Sequence, residues 1–304
     1  MLASAGVKRN PQRRALMGWL VGLGLAVAAL AAAAEVPAPP QGHLLIIGGG
    51  TRPPELMARV VELAGGPEAR VAVVPNASSL PEEVGPEQAA EIEDAGAGEA
   101  FPLQATPETA HDPATLDALG GVTGVFFSGG DQSRLTRALL GTPLLERLHE
   151  VYARGGVVAG TSAGAAIMGP LMITGDETNP PPEGEESFTT ILADNIVTTP
   201  GLGFLDGVVV DQHFVARKRL NRLIGVVLEN PQLLGVGIDE STAILVRPDR
   251  TFEVLGRSQV VVLDASGARD LSVGAEGHLA GHGIALHVMR AGERFDLETR
   301  RPVP

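Results

Sequence analysis

Three times between residues 43 and 164 the chain runs a short apolar segment into a cluster of glycines: HLLIIGGG (His43 to Gly50), GVFFSGG (Gly124 to Gly130) and VVAGTSAG (Val157 to Gly164). Short continuous apolar runs are strands buried on both faces, and their alternation with helices is the pattern of a parallel sheet covered on both sides. Strands are expected at 43–47, 70–74, 124–127 and 156–159. Helices are expected over 54–64, where apolar residues recur at helical spacing, and over 132–139 and 143–154. From Val208 onward the texture changes. Short strands at 208–210, 235–238, 243–246 and 260–263 alternate with turns such as Arg247-Pro248-Asp249-Arg250, which reads as added, partly antiparallel strands. No linker divides 43–304, so the expected fold is one α/β domain. It has a mostly parallel sheet, helices on both faces and extra C-terminal strands. Ligands in such sheets bind beyond the carboxyl ends of the strands, where these glycine turns fall.

The first 34 residues read as a targeting segment. Lys8, Arg9, Arg13 and Arg14 precede an uncharged run from Ala15 to Ala34, and Ala32-Ala33-Ala34 offers a small-residue cleavage site before Glu35. Residues 35–42 then form a proline-rich linker. The rival reading is a retained anchor, since the run has about the ~20 residues that a bilayer-spanning helix needs. Arg13-Arg14 could open a twin-arginine signal, although its flanks match that signal poorly. The expectation is an exported protein, periplasmic or extracellular.

Composition removes several function classes. With no cysteine, the chain has no disulfide framework, thiolate metal site, cysteine nucleophile or lipoprotein anchor. The net charge is −13, and loss of residues 1–34 takes away four basic residues and no acid. An acidic body disfavours nucleic acid and anionic membrane surfaces, and an aromatic content of 3% leaves little for a base-stacking surface.

Gly160-Thr161-Ser162-Ala163-Gly164 carries the strongest chemical signal. Between a strand and a helix, Gly-x-Ser-x-Gly places the serine on a sharp bend, a nucleophile elbow, with the next N–H free to hold an oxyanion. A serine needs a base, and of seven histidines His213 stands out, because it follows the apolar run 208–210 at a strand's carboxyl end. His43, His111 and His149 fall in linker, loop and helix-surface settings. His278, His282 and His287 lie in a glycine-rich stretch, and the first two, four apart, lack the glutamate of a zinc motif. Glu240 is chosen as the carboxylate that orients the base, with Asp239 next and then Asp176 or Glu177. Arg217, Lys218, Arg219 and Arg222 follow the histidine. They are either a solvated helix face or a carboxylate clamp, a task for which arginine's bidentate fork is suited.

FFSGGDQ (126–132), GTSAGA (160–165), PGLGFLDGVVVDQHF (200–214), the RKRLNRL run and GVGIDESTA (235–243) together resemble the cyanophycinases. These enzymes share a serine-peptidase family with the aspartyl dipeptidase called peptidase E. The resemblance spans about residues 43–265 and implies an exopeptidase that releases β-Asp-Arg dipeptides from cyanophycin, a polyaspartate carrying arginine on its side chains. Carried over, it makes Ser162 the nucleophile, His213 the base and Glu240 its partner. Gly130 and Ala163 become oxyanion donors, and Gln132, Asp211, Gln212, Arg217, Arg219 and Arg222 become pocket residues. It implies no metal or organic cofactor and leaves a homodimer open.

The acidic, proline-rich segment 176–186 does not align with the family pattern, which leaves fine substrate choice open. An arginine clamp serves equally an aspartyl dipeptidase cutting α-linked Asp-X. The reading from another class is a non-catalytic exported binding protein, which has no physical need of an elbow.

Overall fold

A computed structural model of the chain describes residues 40–304. The expected leader (1–34), its rival anchor and most of the linker lie outside the described residues. Within them no helix is long and apolar enough to cross a membrane.

Five strands form the parallel block: β1 (His43–Ile47), β2 (Arg70–Val74), β3 (Glu99–Pro102), β4 (Gly124–Phe127) and β5 (Val157–Thr161), in the spatial order β3-β2-β4-β5-β1. A second, six-stranded sheet takes β6 (Leu171–Glu177), β7 (Ile196–Pro200), β8 (Val208–Gln212) and β9 (Leu234–Ile238). After β10 (Thr242–Val246) and β11 (Thr251–Gly256), β12 (Gln259–Asp264) joins it. Its outer strand, β15 (Ala285–Arg290), follows a separate hairpin of β13 (Arg269–Val273) and β14 (Leu279–His282).

The sheets are mixed, and the expectation of a mostly parallel sheet is corrected here. β10 lies antiparallel on β1, and β11, β16 (Arg294–Asp296) and β17 (Arg301–Val303) extend that side, so half the pairings of the nine-stranded sheet are antiparallel. The physical reason is connection length. The Arg247–Arg250 turn is too short for a crossover, and strands joined by a tight turn must pair antiparallel.

Alternation along the strands sorts the side chains into cores. Leu44 and Ile46 of β1 face one cluster, while Leu45 and Ile47 face another beneath α1 (Pro54–Ala64) and α2 (Pro81–Asp94). The first cluster also holds Val208 and Val210 of β8, which turns Val209 to the opposite side. The short α3 (Pro113–Ala118), α4 (Gln132–Leu139) and α5 (Pro143–Ala153) follow in the parallel half. The helix after Ser162, α6 (Ala163–Ala166), is a single turn. Finally α7 (Leu220–Glu229) buries Arg222, Leu223, Val226 and Val227 on one stripe.

Candidate active site

β1 and β5 run parallel and end level, Ile47 opposite Thr161, and the Ser162 N–H donates to the Ile47 carbonyl at 3.0 Å. In the second sheet β8 and β9 also run parallel, with Gln212 opposite Ile238. His213 and the Asp239-Glu240 pair therefore leave adjacent strands side by side. The loop after β1 joins the two sets, because the His213 N–H donates to the Gly48 carbonyl at 2.7 Å and the Ser241 N–H to that of Gly49 at 2.9 Å.

Ser162 adopts φ 52°, ψ −107°, a backbone state that costs a non-glycine residue of order 1–3 kcal/mol. Its neighbours explain how it is held. A Cβ on Gly160 would lie 2.3 Å from the Gly164 carbonyl oxygen, and one on Gly164 would lie 2.4 Å from that of Phe127. Only glycines let strand and turn come this close. The Ser162 hydroxyl lies 2.9 Å from His213 Nε2, and His213 Nδ1 lies 2.6 Å from Glu240 Oε1. With Glu240 as acceptor, Nδ1 carries the proton and Nε2 presents its lone pair to the serine. Burial pushes the imidazole pKa below its ordinary value. The hydrogen bond to Glu240 opposes that shift, and Arg217 and Arg219 add to it. The neutral form, the one able to accept a proton, prevails at pH 7.

The other carboxylates weighed for the third position are placed elsewhere. Asp239 is buried and accepts from the Val215 and Ala216 N–H groups and the Ser258 hydroxyl. Burial alone would raise its pKa, but these hydrogen bonds outweigh it and hold the carboxyl below the usual range. Glu177 accepts from Asn195 and the Phe188 N–H, while Asp176 is exposed. The N–H groups of Gly130 and Ala163 make no hydrogen bond to another described residue. The Gly129–Gly130 turn runs beside Ser162, since a Cβ on Gly129 would lie 3.4 Å from that of Ser162.

The residues expected to line the pocket divide into two groups. Arg217 and Arg219 line a cleft of about 460 Å³, together with Lys218, Asn221, Glu186 and Phe188. Arg219 donates to the carbonyl and side-chain oxygens of Gln212 at 2.8 and 2.9 Å. Burial, then the nearby Arg222, push its pKa down to about 10, so it stays charged at neutral pH. Arg222 is enclosed instead. It shares the buried stripe of α7 with Val226, one turn on, and grips the buried Asp211 with two nitrogens. Gln132 is buried and donates to the Ile173 and Thr174 carbonyls at 2.9 and 2.6 Å.

Two features beside the site carry no specific role in the sequence. The first is the Gly48–Gly50 loop, which reads as an ordinary strand ending. A Cβ on Gly49 would lie 2.5 Å from both Cε1 and Nε2 of His213. The second is the segment after β6, whose Glu186 lies 3.3 Å from Lys218 Nζ and whose Phe188 ring covers the Arg222 guanidinium at 4.9 Å. It forms the wall of the cleft facing the basic turn. Among the described residues no group of three or more histidines and carboxylates is placed to hold a metal ion.

An α/β fold presenting a hydroxyl, an imidazole and a carboxylate in hydrogen-bonded sequence is the architecture of a serine-type hydrolase. The chain belongs to peptidase family S51, whose model matches residues 44–254, and it is a serine-type hydrolase of that family. Among its relatives, the cyanophycinase of Geminocystis herdmanii is 34% identical over 86% of this chain and 96% of that one. The cyanophycinase of Synechococcus elongatus is 36% identical over 86% of this chain and 81% of its own. A solved peptidase from an acI-B1 actinobacterium shares the fold, with a TM-score of 0.62 at 22% identity over 84% of this chain and 97% of that one.

Proposed function

We propose that residues 43–304 form one exported exopeptidase domain that hydrolyses cyanophycin to β-Asp-Arg dipeptides through an acyl-enzyme on Ser162. The observation that carries this reading is the unbroken relay from Ser162 through His213 to Glu240, 2.9 and 2.6 Å long. In the first step His213 Nε2 takes the hydroxyl proton as Ser162 Oγ bonds to the scissile carbonyl carbon. Glu240 holds the resulting imidazolium. The Gly130 and Ala163 N–H groups receive the oxyanion; with α6 only one turn long, they act as individual donors and need no helix dipole. His213 then protonates the leaving amine, which departs as the carbonyl reforms. A water, deprotonated by the same nitrogen, attacks the acyl carbon and returns Ser162.

Arg217 and Arg219 line a cleft directly after the base and supply the positive charge that an aspartate carboxylate requires. The wall opposite carries Glu186, an acceptor for the arginine that distinguishes cyanophycin from other aspartyl peptides. Relatives named cyanophycinase across most of the chain support the same substrate. Incubation of the purified protein with insoluble cyanophycin, with products identified by mass, tests the reading. β-Asp-Arg is the expected product. An intact polymer alongside cleavage of α-linked Asp-X would move the assignment to an aspartyl dipeptidase, and no hydrolysis of either would leave a binding protein. The export part is tested separately, since the mature chain is expected to begin at or near Glu35.

A further inference from the structure

Asp239 stands next to the relay without belonging to it. Its Oδ1 accepts from the N–H groups of Val215 and Ala216 at 3.0 and 2.8 Å, the second and third residues after His213. Its Oδ2 accepts from the Ser258 hydroxyl at 2.6 Å. That segment needs an anchor, because His213 itself has φ 47° and Lys218 φ 53°, so the backbone around the base runs through two left-handed, non-glycine positions. Around the first of them, four contacts fix the chain. The His213 N–H reaches Gly48, the Phe214 N–H reaches Ile238 at 3.2 Å, and Asp239 takes the next two N–H groups.

Position explains why this residue can do so. Asp239 and Glu240 directly follow Ile238, the last residue of β9, where the chain turns. At the end of β9, Glu240 goes to the imidazole and Asp239 goes to the backbone that carries the imidazole. The same two-residue step therefore holds His213 by its ring and by its main chain. The Ser258 contact ties the arrangement to the start of β12, whose Gln259 carbonyl accepts the Asp239 N–H at 3.2 Å.

We infer that Asp239 is a positioning residue for the reaction: by capping the turn after His213 it sets where Nε2 sits relative to Ser162 and where Arg217 and Arg219 enter the cleft. The inference rests on Ser162 being the nucleophile. A misplacement on the order of 1 Å costs about 100-fold in rate, and two released N–H groups free the turn to move by that much. What matters is the position of the acceptor oxygen, and the negative charge is secondary.

Two variants separate these properties. Asp239→Asn keeps an acceptor at the same place, and its amide can donate to Ser258, but the charge is lost. Asp239→Glu keeps the charge and displaces the oxygens by a methylene. The readout is the second-order rate of Ser162 labelling by a fluorophosphonate, taken beside kcat and KM for release of β-Asp-Arg from cyanophycin. Asp239→Asn is expected to label within about threefold of the unaltered protein. Asp239→Glu is expected to label roughly 10–100-fold more slowly, with the loss mainly in kcat. The reverse order, or labelling of both at the unaltered rate, would overturn the inference, as would equal slowing of both. Failure of the unaltered protein to label at Ser162 would instead strike at the nucleophile assignment itself.

Discussion

Arg222 and Asp211 form a closed, bidentate ion pair in the interior, Nε 2.7 Å from Oδ2 and Nη2 on Oδ1, with each side chain at most 2% exposed. Sequence proximity groups Arg222 with Arg217 and Arg219, but its position on α7 separates them. Removing one partner of such a pair leaves a buried charge unmatched and costs about 3–5 kcal/mol. Arg222→Ala is therefore expected to lower the melting temperature by roughly 10 °C, measured by calorimetry. A melting point unchanged beside a lost activity would return Arg222 to the role of a substrate clamp.

Arg217 and Arg219 line the cleft, and their removal is expected to act on binding. A charge-assisted hydrogen bond to a substrate carboxylate is worth roughly 1.5–3 kcal/mol, or about one to two powers of ten in kcat/KM. Arg217→Ala and Arg219→Ala should lose that much on an aspartate-backbone substrate and little on a small ester without carboxylates. Equal losses on both substrates would show a damaged site.

Gly49 passes against the Cε1–Nε2 edge of His213. A methyl there would overlap the imidazole at 2.5 Å, and φ +102° disfavours any side chain. Gly49→Ala is expected to displace the ring and reduce turnover by about 100-fold or more, with the protein still folded by circular dichroism. Turnover within a few-fold of normal would show that the loop leaves the base free to move.

The parts of this site visible in the sequence are those fixed by local chemistry. Ser162 is announced by glycines two residues to either side, which the backbone contacts at Gly160 and Gly164 make obligatory. His213 is announced by a strand ending. Glu240 and Asp239 adjoin and are both carboxylates, and sequence alone does not say which of the two side chains meets the histidine; the register of β8 on β9 decides it. The extent of the antiparallel pairing was hidden for the same reason. β10 pairs with β1 across most of the described chain, Leu44 opposite Val246, and neither strand carries a mark of its distant partner. Arg222 looks like a surface charge in a basic run until its one-turn spacing from Val226 puts it on the apolar stripe.

The pH dependence follows from His213. Burial lowers its pKa from 6.5, so the imidazole is neutral above that value and gains a proton only as the pH falls through the lowered one. Once protonated it accepts nothing from Ser162, so kcat/KM should be on its plateau at pH 7 and fall on the acid side with a midpoint below 6.5. A midpoint above 7 would mean that Glu240 dominates over burial.

The most direct measurement of the central claim replaces one oxygen. Ser162→Ala keeps the fold, the cleft and the base but removes the atom that lies 2.9 Å from His213 Nε2. Fluorophosphonate labelling followed by intact mass, together with β-Asp-Arg release from cyanophycin, should show one adduct and turnover in the unaltered protein. The variant should show no adduct and a loss of turnover by roughly three or more powers of ten. Folded Ser162→Ala protein that still releases dipeptides at a substantial fraction of the original rate would contradict the assignment of Ser162 as the nucleophile.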